Sequence, residues 1–195
     1  MKKDSIPQPR KPRADALRNR DLIVQVAKAA FTEHGAGASL DDIAKGSGVG
    51  SGTLYRHFPT REALLEAVYR AEVDKLAEAA EEFGRELPPL EALQAWLRLF
   101  IEYLATKKII AAALHNLVGA PSNMFDESLS KVHSAVKSIF ERAVEAGEIR
   151  EDVNPVDVLR AIVGVTFFGP SDNWRDGAFR LMDILIQGSR PNPKG

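Results

Sequence analysis

The chain has 195 residues, 45% hydrophobic and 27% charged, enough for a buried core in one ordinary domain or in a small headpiece on a larger body. It has no cysteine, which excludes disulfides, thiolate metal sites and cysteine nucleophiles and fits a reducing cytoplasm; no apolar run reaches the roughly 18–20 residues of a membrane span, and the basic N-terminus lacks the apolar stretch of a secretory signal. The net charge of −1 hides an asymmetry, with 11 basic and six acidic side chains in residues 1–61 against 15 and 21 in residues 62–195, so a polyanion partner is expected for the front only.

Residues 1–15 read as a flexible basic arm, rich in Lys2, Lys3, Arg10, Lys11 and Arg13 and interrupted by Pro7, Pro9 and Pro12. Ile23, Val26, Ala27, Ala30 and Phe31 then recur on one helical face, and Gly35 stops that helix as a C-terminal cap. Ser39 opens the next, with Asp42 three residues on as a capping box and Leu40, Ile43 and Ala44 as its apolar face. A glycine-rich stretch, residues 46–52, leads to Thr53-Leu54-Tyr55-Arg56-His57-Phe58. Thr60 caps a long helix over about 61–83, marked by Leu65, Val68, Tyr69, Leu76, Ala79 and Phe83 and broken by Leu87-Pro88-Pro89. Leu90, Leu93, Leu97, Phe100, Ile101 and Leu104 mark another helix, and a short one near 109–118 ends at Gly119-Ala120-Pro121. Phe125, Leu129, Val132, Val136, Ile139 and Ala143 mark the next, stopped by Gly147. Pro155 opens a helix to about residue 168, ended by Gly169-Pro170, and the last runs over about 173–187. No alternating strand pattern and no long repeat competes, so the expected fold is all-α with about nine helices.

Residues 39–58 have the spacing of a helix-turn-helix. Gly48 can take the positive φ of a tight turn, and Val49, Leu54 and Phe58 can pack the second helix on the first. That leaves Ser51, Thr53, Tyr55, Arg56 and His57 outward, all able to donate hydrogen bonds to phosphate oxygens or base edges. The second helix of such a unit enters the major groove of double-stranded DNA. Each residue also has a structural alternative: Tyr55 as core, His57 as a helix C-terminal cap, Arg61 as a solvated charge.

The string Phe31-x3-Gly35-x3-Ser39-Leu40-x2-Ile43-Ala44-x3-Gly48-Val49-x3-Thr53-Leu54-Tyr55-x-His57-Phe58-x-Thr60-Arg61-x2-Leu64 resembles the TetR (tetracycline-repressor) family, over about residues 16–76. The resemblance implies a three-helix DNA-binding headpiece at 16–76 and an effector-binding and dimerisation body at 77–195. It also implies a homodimer on a near-palindromic operator, with repression lifted by a small-molecule effector. Carried over residue by residue, it places Thr53, Tyr55 and His57 on phosphates, Ser39 and Arg61 on the backbone, and Val49, Gly50 and Ser51 near bases. Arg56 on the open face and Arg13 and Arg18 at the basic front are further expected DNA contacts, and entry of the arm into a minor groove is one alternative for them. The sequence departs from the family at Gly46-Ser47 and Gly52, where larger residues are common. With few long side chains, base readout is expected to be sparse, with DNA shape or the basic arm in a minor groove supplying part of the specificity.

In the body, residues 156–168 are apolar almost all round, as is the helix carrying Phe179, Leu181, Met182, Ile184, Leu185 and Ile186, so both need burial on most sides. The resemblance implies that these last two helices pair with their symmetry mates in a four-helix bundle, with Leu159, Ile162, Val163, Phe167, Phe179, Met182, Leu185 and Ile186 at the interface. A monomer core is the alternative. Effector-pocket candidates are Trp96, Phe100, Tyr103, His115, Met124, Phe125, His133 and Phe167, favouring an apolar or amphipathic molecule oriented by the polar tips of Tyr103, His115 and His133.

Other classes fit poorly. Gly46-x-Gly48-x-x-Ser51 follows no strand, so a dinucleotide loop fails. No HExxH, GxSxG or paired catalytic carboxylates occur, so no enzyme, metal or cofactor is expected. A helical protein-binding adaptor without DNA binding is the remaining alternative.

Overall fold

The computed structural model describes residues 12–115, 122–166 and 173–191, with side chains for 15–35, 37–110, 127–166 and 173–191. Residues 1–11 of the basic arm and the segments expected to end helices at 116–121 and 167–172 lie outside these, whereas residues 12–15, expected in the flexible arm, form the first turn of a helix. Every regular element among the described residues is a helix, and no described helix is long and apolar enough to cross a membrane. The chain divides into two units, residues 1–68 and 69–195.

The first unit contains α1 (Pro12–His34), a 3-10 turn (Gly35–Gly37), α2 (Leu40–Gly46), α3 (Ser51–His57) and the start of α4 (Arg61–Glu86). Its boundaries follow from local chemistry. Gly35 ends α1 at φ +60°, a conformation that costs a glycine nothing. The Ser39 hydroxyl accepts from the Asp42 amide at 3.2 Å, satisfying one orphan donor at the start of α2. Gly48 turns the chain at φ +68°. Thr60 accepts from the Ala63 amide at 3.1 Å and starts α4. Ile23, Ala27 and Phe31 of α1, Ile43 and Ala44 of α2, Leu54 and Phe58, and Leu64 and Leu65 of α4 are buried together in the core. Each large one contributes roughly 1.5–3 kcal/mol relative to exposure.

The second unit holds the rest of α4, then α5 (Pro89–His115), α6 (Ser122–Glu145), α7 (Pro155–Val165) and α8 (Trp174–Ser189). α5 packs between α6 and α8, and α7 joins those two. The two helices expected between 90 and 118 form one: no glycine or proline interrupts Leu90–Leu117, and Lys107-Lys108 is no breaker. Eight α-helices are therefore present among the described residues. Asn154 caps α7 by accepting from the Val156 amide at 2.8 Å, with Pro155 in the first helical turn. The N-terminus of α5 is capped from a distance: Glu148 accepts from the Leu90 amide at 2.9 Å.

Candidate nucleic-acid interface and ligand cavity

α2 and α3 are short, and each buries one face. On α3 only Leu54 is buried, with Phe58 just beyond it, while Val49 before it is half-buried. The opposite face carries Ser51, Tyr55 and Arg56 exposed, and Thr53 and His57 half-exposed. Tyr55 leaves 47% of its surface open, an unusual exposure for a ring that could have joined the core. Gly50 is the N-cap of α3 in extended backbone and is exposed, as is Ser39. Arg18 is exposed on α1, and the side chain of Arg13 lies outside the described residues.

Three of these side chains have partners that the sequence did not disclose. Ser51 donates to Asp41 of α2 at 2.8 Å. Arg56 folds back along its own helix to Thr53 at 3.0 Å and the Gly52 carbonyl at 3.3 Å. Arg61, half-buried, donates to the Ala38 carbonyl at 2.5 Å and so ties the start of α4 to the entry of α2. Arg20 of α1 also stacks over the Phe58 ring at 5.4 Å.

The second unit carries a cavity of about 420 Å³ walled by α4, α5, α6 and α7. Phe100, Tyr103 and His133 line it, as do Tyr69, Leu104, Lys107, Leu129 and Arg160, which sequence reasoning had not singled out. The Tyr103 hydroxyl donates to that of Tyr69 at 3.0 Å, and burial together with this bond pushes the Tyr103 phenol above its ordinary range. Trp96 is not in the wall. It is fully buried, stacks on Phe100 at 5.7 Å, and donates its indole N–H to the Leu76 carbonyl at 2.8 Å. His115, Met124, Phe125 and Phe167 lie outside the residues whose side chains are described. A wider hollow of about 730 Å³ along α6 carries Glu141, Glu145, Glu151 and Asp152 and lacks comparable aromatic walls.

The apolar residues of the last two helices separate into two groups. Leu159, Ile162, Met182 and Ile186, expected at a subunit interface, are buried within the single chain. With Ala178 they form the inward stripe of α7 and α8. Val163, Phe179 and Leu185 remain half-exposed, and Ile184 is 66% exposed. α8 therefore carries a second apolar stripe, Leu181, Ile184 and Leu185, that its own chain does not bury.

A two-helix reader on a three-helix core, with hydroxyl and basic side chains on its open face, defines a helix-turn-helix DNA-binding protein. Family comparison gives the class its place. Residues 23–68 match the model described as "Bacterial regulatory proteins, tetR family", and residues 88–191 match "Transcriptional regulator SbtR-like, C-terminal domain". The crystal structure of the TetR transcriptional regulator SCO0520 from Streptomyces coelicolor is 42% identical, with 89% of this chain and 99% of that one covered at a TM-score of 0.80. The TetR transcription regulatory protein from Mycobacterium vanbaalenii is 28% identical, with 93% and 100% covered and a TM-score of 0.77. The HTH-type transcriptional repressor AcnR of Corynebacterium diphtheriae is 27% identical over 184 residues, 89% of this chain and 94% of its own. The chain belongs to the TetR family and is a DNA-binding transcriptional regulator.

Proposed function

We propose that the protein is a homodimeric repressor that leaves a near-palindromic operator when a small apolar or amphipathic molecule enters the 420 Å³ cavity. The observation that carries this reading is the pairing, in one chain, of an open-faced reader with an aromatic-walled cavity whose first wall residue, Tyr69, stands on the same helix as Arg61. Relatives named as repressors, AcnR and KstR2 of Mycobacterium tuberculosis among them, support the repressing mode.

Ser39, Thr53, Tyr55, His57 and Arg61 grip phosphates, with Arg56, Arg18 and Arg13 adding positive charge. Val49, Gly50 and Ser51 approach bases. Ser51 and Arg56 exchange their internal partners for DNA, a small loss because both bonds are exposed. The subunits meet through the uncovered stripe of α8 with Val163 and Phe179. Effector binding shifts the equilibrium only if it favours a headpiece spacing that mismatches the operator.

A mobility-shift titration on the intergenic DNA beside the gene, run at two salt concentrations, tests the reading. Binding that weakens steeply with salt is expected. Absence of binding at low salt would favour the protein-binding adaptor.

A further inference from the structure

Among the described residues, the cavity wall is apolar and aromatic apart from a few polar tips and two basic side chains, Lys107 of α5 and Arg160 of α7. Their situations differ. Arg160 is largely exposed and already paired with Asp157 at 2.8 Å. Lys107 is half-buried, and no hydrogen bond or ion pair joins it to another described residue. An ammonium in such a place forgoes part of its hydration without compensation, and burial holds its ionisation below the ordinary lysine range. Trp96 and Tyr103 nearby have satisfied their polar atoms inside the protein, so Lys107 stands out as a group with no partner among the described residues.

We propose that the effector is an amphipathic organic acid whose single carboxylate is held by Lys107 while its hydrocarbon part lies against Phe100, Leu104, Leu129 and Val132. This rests on the cavity being the effector site. The charge count sets the class: with Arg160 paired to Asp157, the described lining residues offer one positive charge without an ion-pair partner, which suits a monocarboxylate better than a dianionic phosphate. The volume sets the size. At the packing density of a protein interior, roughly 0.74, the 420 Å³ cavity holds about 310 Å³ of ligand within its walls. Medium-chain fatty acids and comparable ring acids fall within that limit. A wholly apolar effector would leave Lys107 desolvated and unpaired.

The test uses the full-length protein, with decanoate and decanol as probes of matched hydrocarbon length in isothermal titration calorimetry. Wild type should bind decanoate about ten- to a hundredfold more tightly than decanol, the range of a charge-assisted hydrogen bond. Lys107→Met should abolish that preference by weakening decanoate alone, and Lys107→Arg should keep it. The unliganded Lys107→Met protein should also melt above wild type, which shows that the variant folds and that the unpaired charge was a cost. Leu129→Trp, at a half-exposed wall position, should weaken both probes. Equal affinity for the two probes, or a preference that survives Lys107→Met, overturns the acid proposal and leaves the cavity reading intact, provided Leu129→Trp still blocks decanol. Failure of both probes to bind, or binding that ignores Leu129→Trp, overturns the cavity reading and the acid proposal with it.

Discussion

Ser51, Arg56 and Arg61 are all held by partners within the chain, and their bonds differ in what they cost to break. The Ser51–Asp41 and Arg56–Thr53 bonds are solvent-exposed and worth at most about 1 kcal/mol each. Asp41 adds a negative charge beside a surface assigned to phosphates, so Asp41→Ala should tighten binding to any duplex and free Ser51; fluorescence anisotropy on operator and random DNA measures both effects. The Arg61–Ala38 bond is half-buried and charge-assisted. Arg61→Ala should therefore lower the stability of the first unit by about 1.5 kcal/mol in urea unfolding, in addition to any loss of DNA affinity. Tyr103 gives a pH signature. Its phenol keeps its proton in the folded state well past the ordinary tyrosine range, whereas the unfolded chain loses it near a pKa of about 10. Above that pH the folded state binds more protons than the unfolded state, so stability falls as pH rises. Tyr103→Phe should remove that part of the alkaline decline, read as a smaller drop in Tm between neutral and alkaline buffers.

At the scale of elements, capping is legible when it is local and hidden when it is not. Ser39 and Thr60 announce their helices because the amides they serve lie three residues on, and Pro155 because its fixed φ suits the first helical turn. The cap of α5 comes from Glu148, 58 residues further along the chain, and no spacing rule finds it. Glu148→Ala should cost about 1 kcal/mol, and Asn154→Ala a similar amount at α7, both measurable as shifts in Tm. The ion pairs Arg70–Glu127 at 3.4 Å and Asp74–Lys131 at 2.5 Å link α4 to α6 along matching rows, yet all four side chains are about half exposed, so each pair contributes less than about 1 kcal/mol. On α8 the apolar residues are too many for one stripe, which is visible in the sequence. Their division into an inward set at Ala178, Met182 and Ile186 and an outward set at Leu181, Ile184 and Leu185 depends on where α5 and α7 lie.

For the whole molecule, that division separates two substitutions that look alike in sequence. Ile162 is fully buried, so Ile162→Glu should unfold the second unit by burying an unpaired charge. Ile184→Glu combined with Leu185→Glu leaves the core intact and should give folded monomers in sedimentation, with operator affinity lost along with the dimer. The all-helical fold, the helix-turn-helix and the family pattern all rest on rules that act over a few residues: a 3.6-residue period, a hydroxyl three residues from an amide, a glycine free to take positive φ at residues 35 and 48. Such rules survive in a bare sequence, and the reader from Ser39 to Phe58 was legible for that reason. The cavity was legible only in part. Phe100, Tyr103 and His133 stand out as aromatic or polar residues in apolar helices, but so does Trp96, whose indole is spent on the Leu76 carbonyl. Tyr69, Lys107 and Arg160 come from three helices far apart in the chain, and only their packing gives them a common wall. Which apolar face a chain covers for itself, and which basic side chain it leaves unpaired beside a cavity, are properties of long-range contacts that no local spacing encodes.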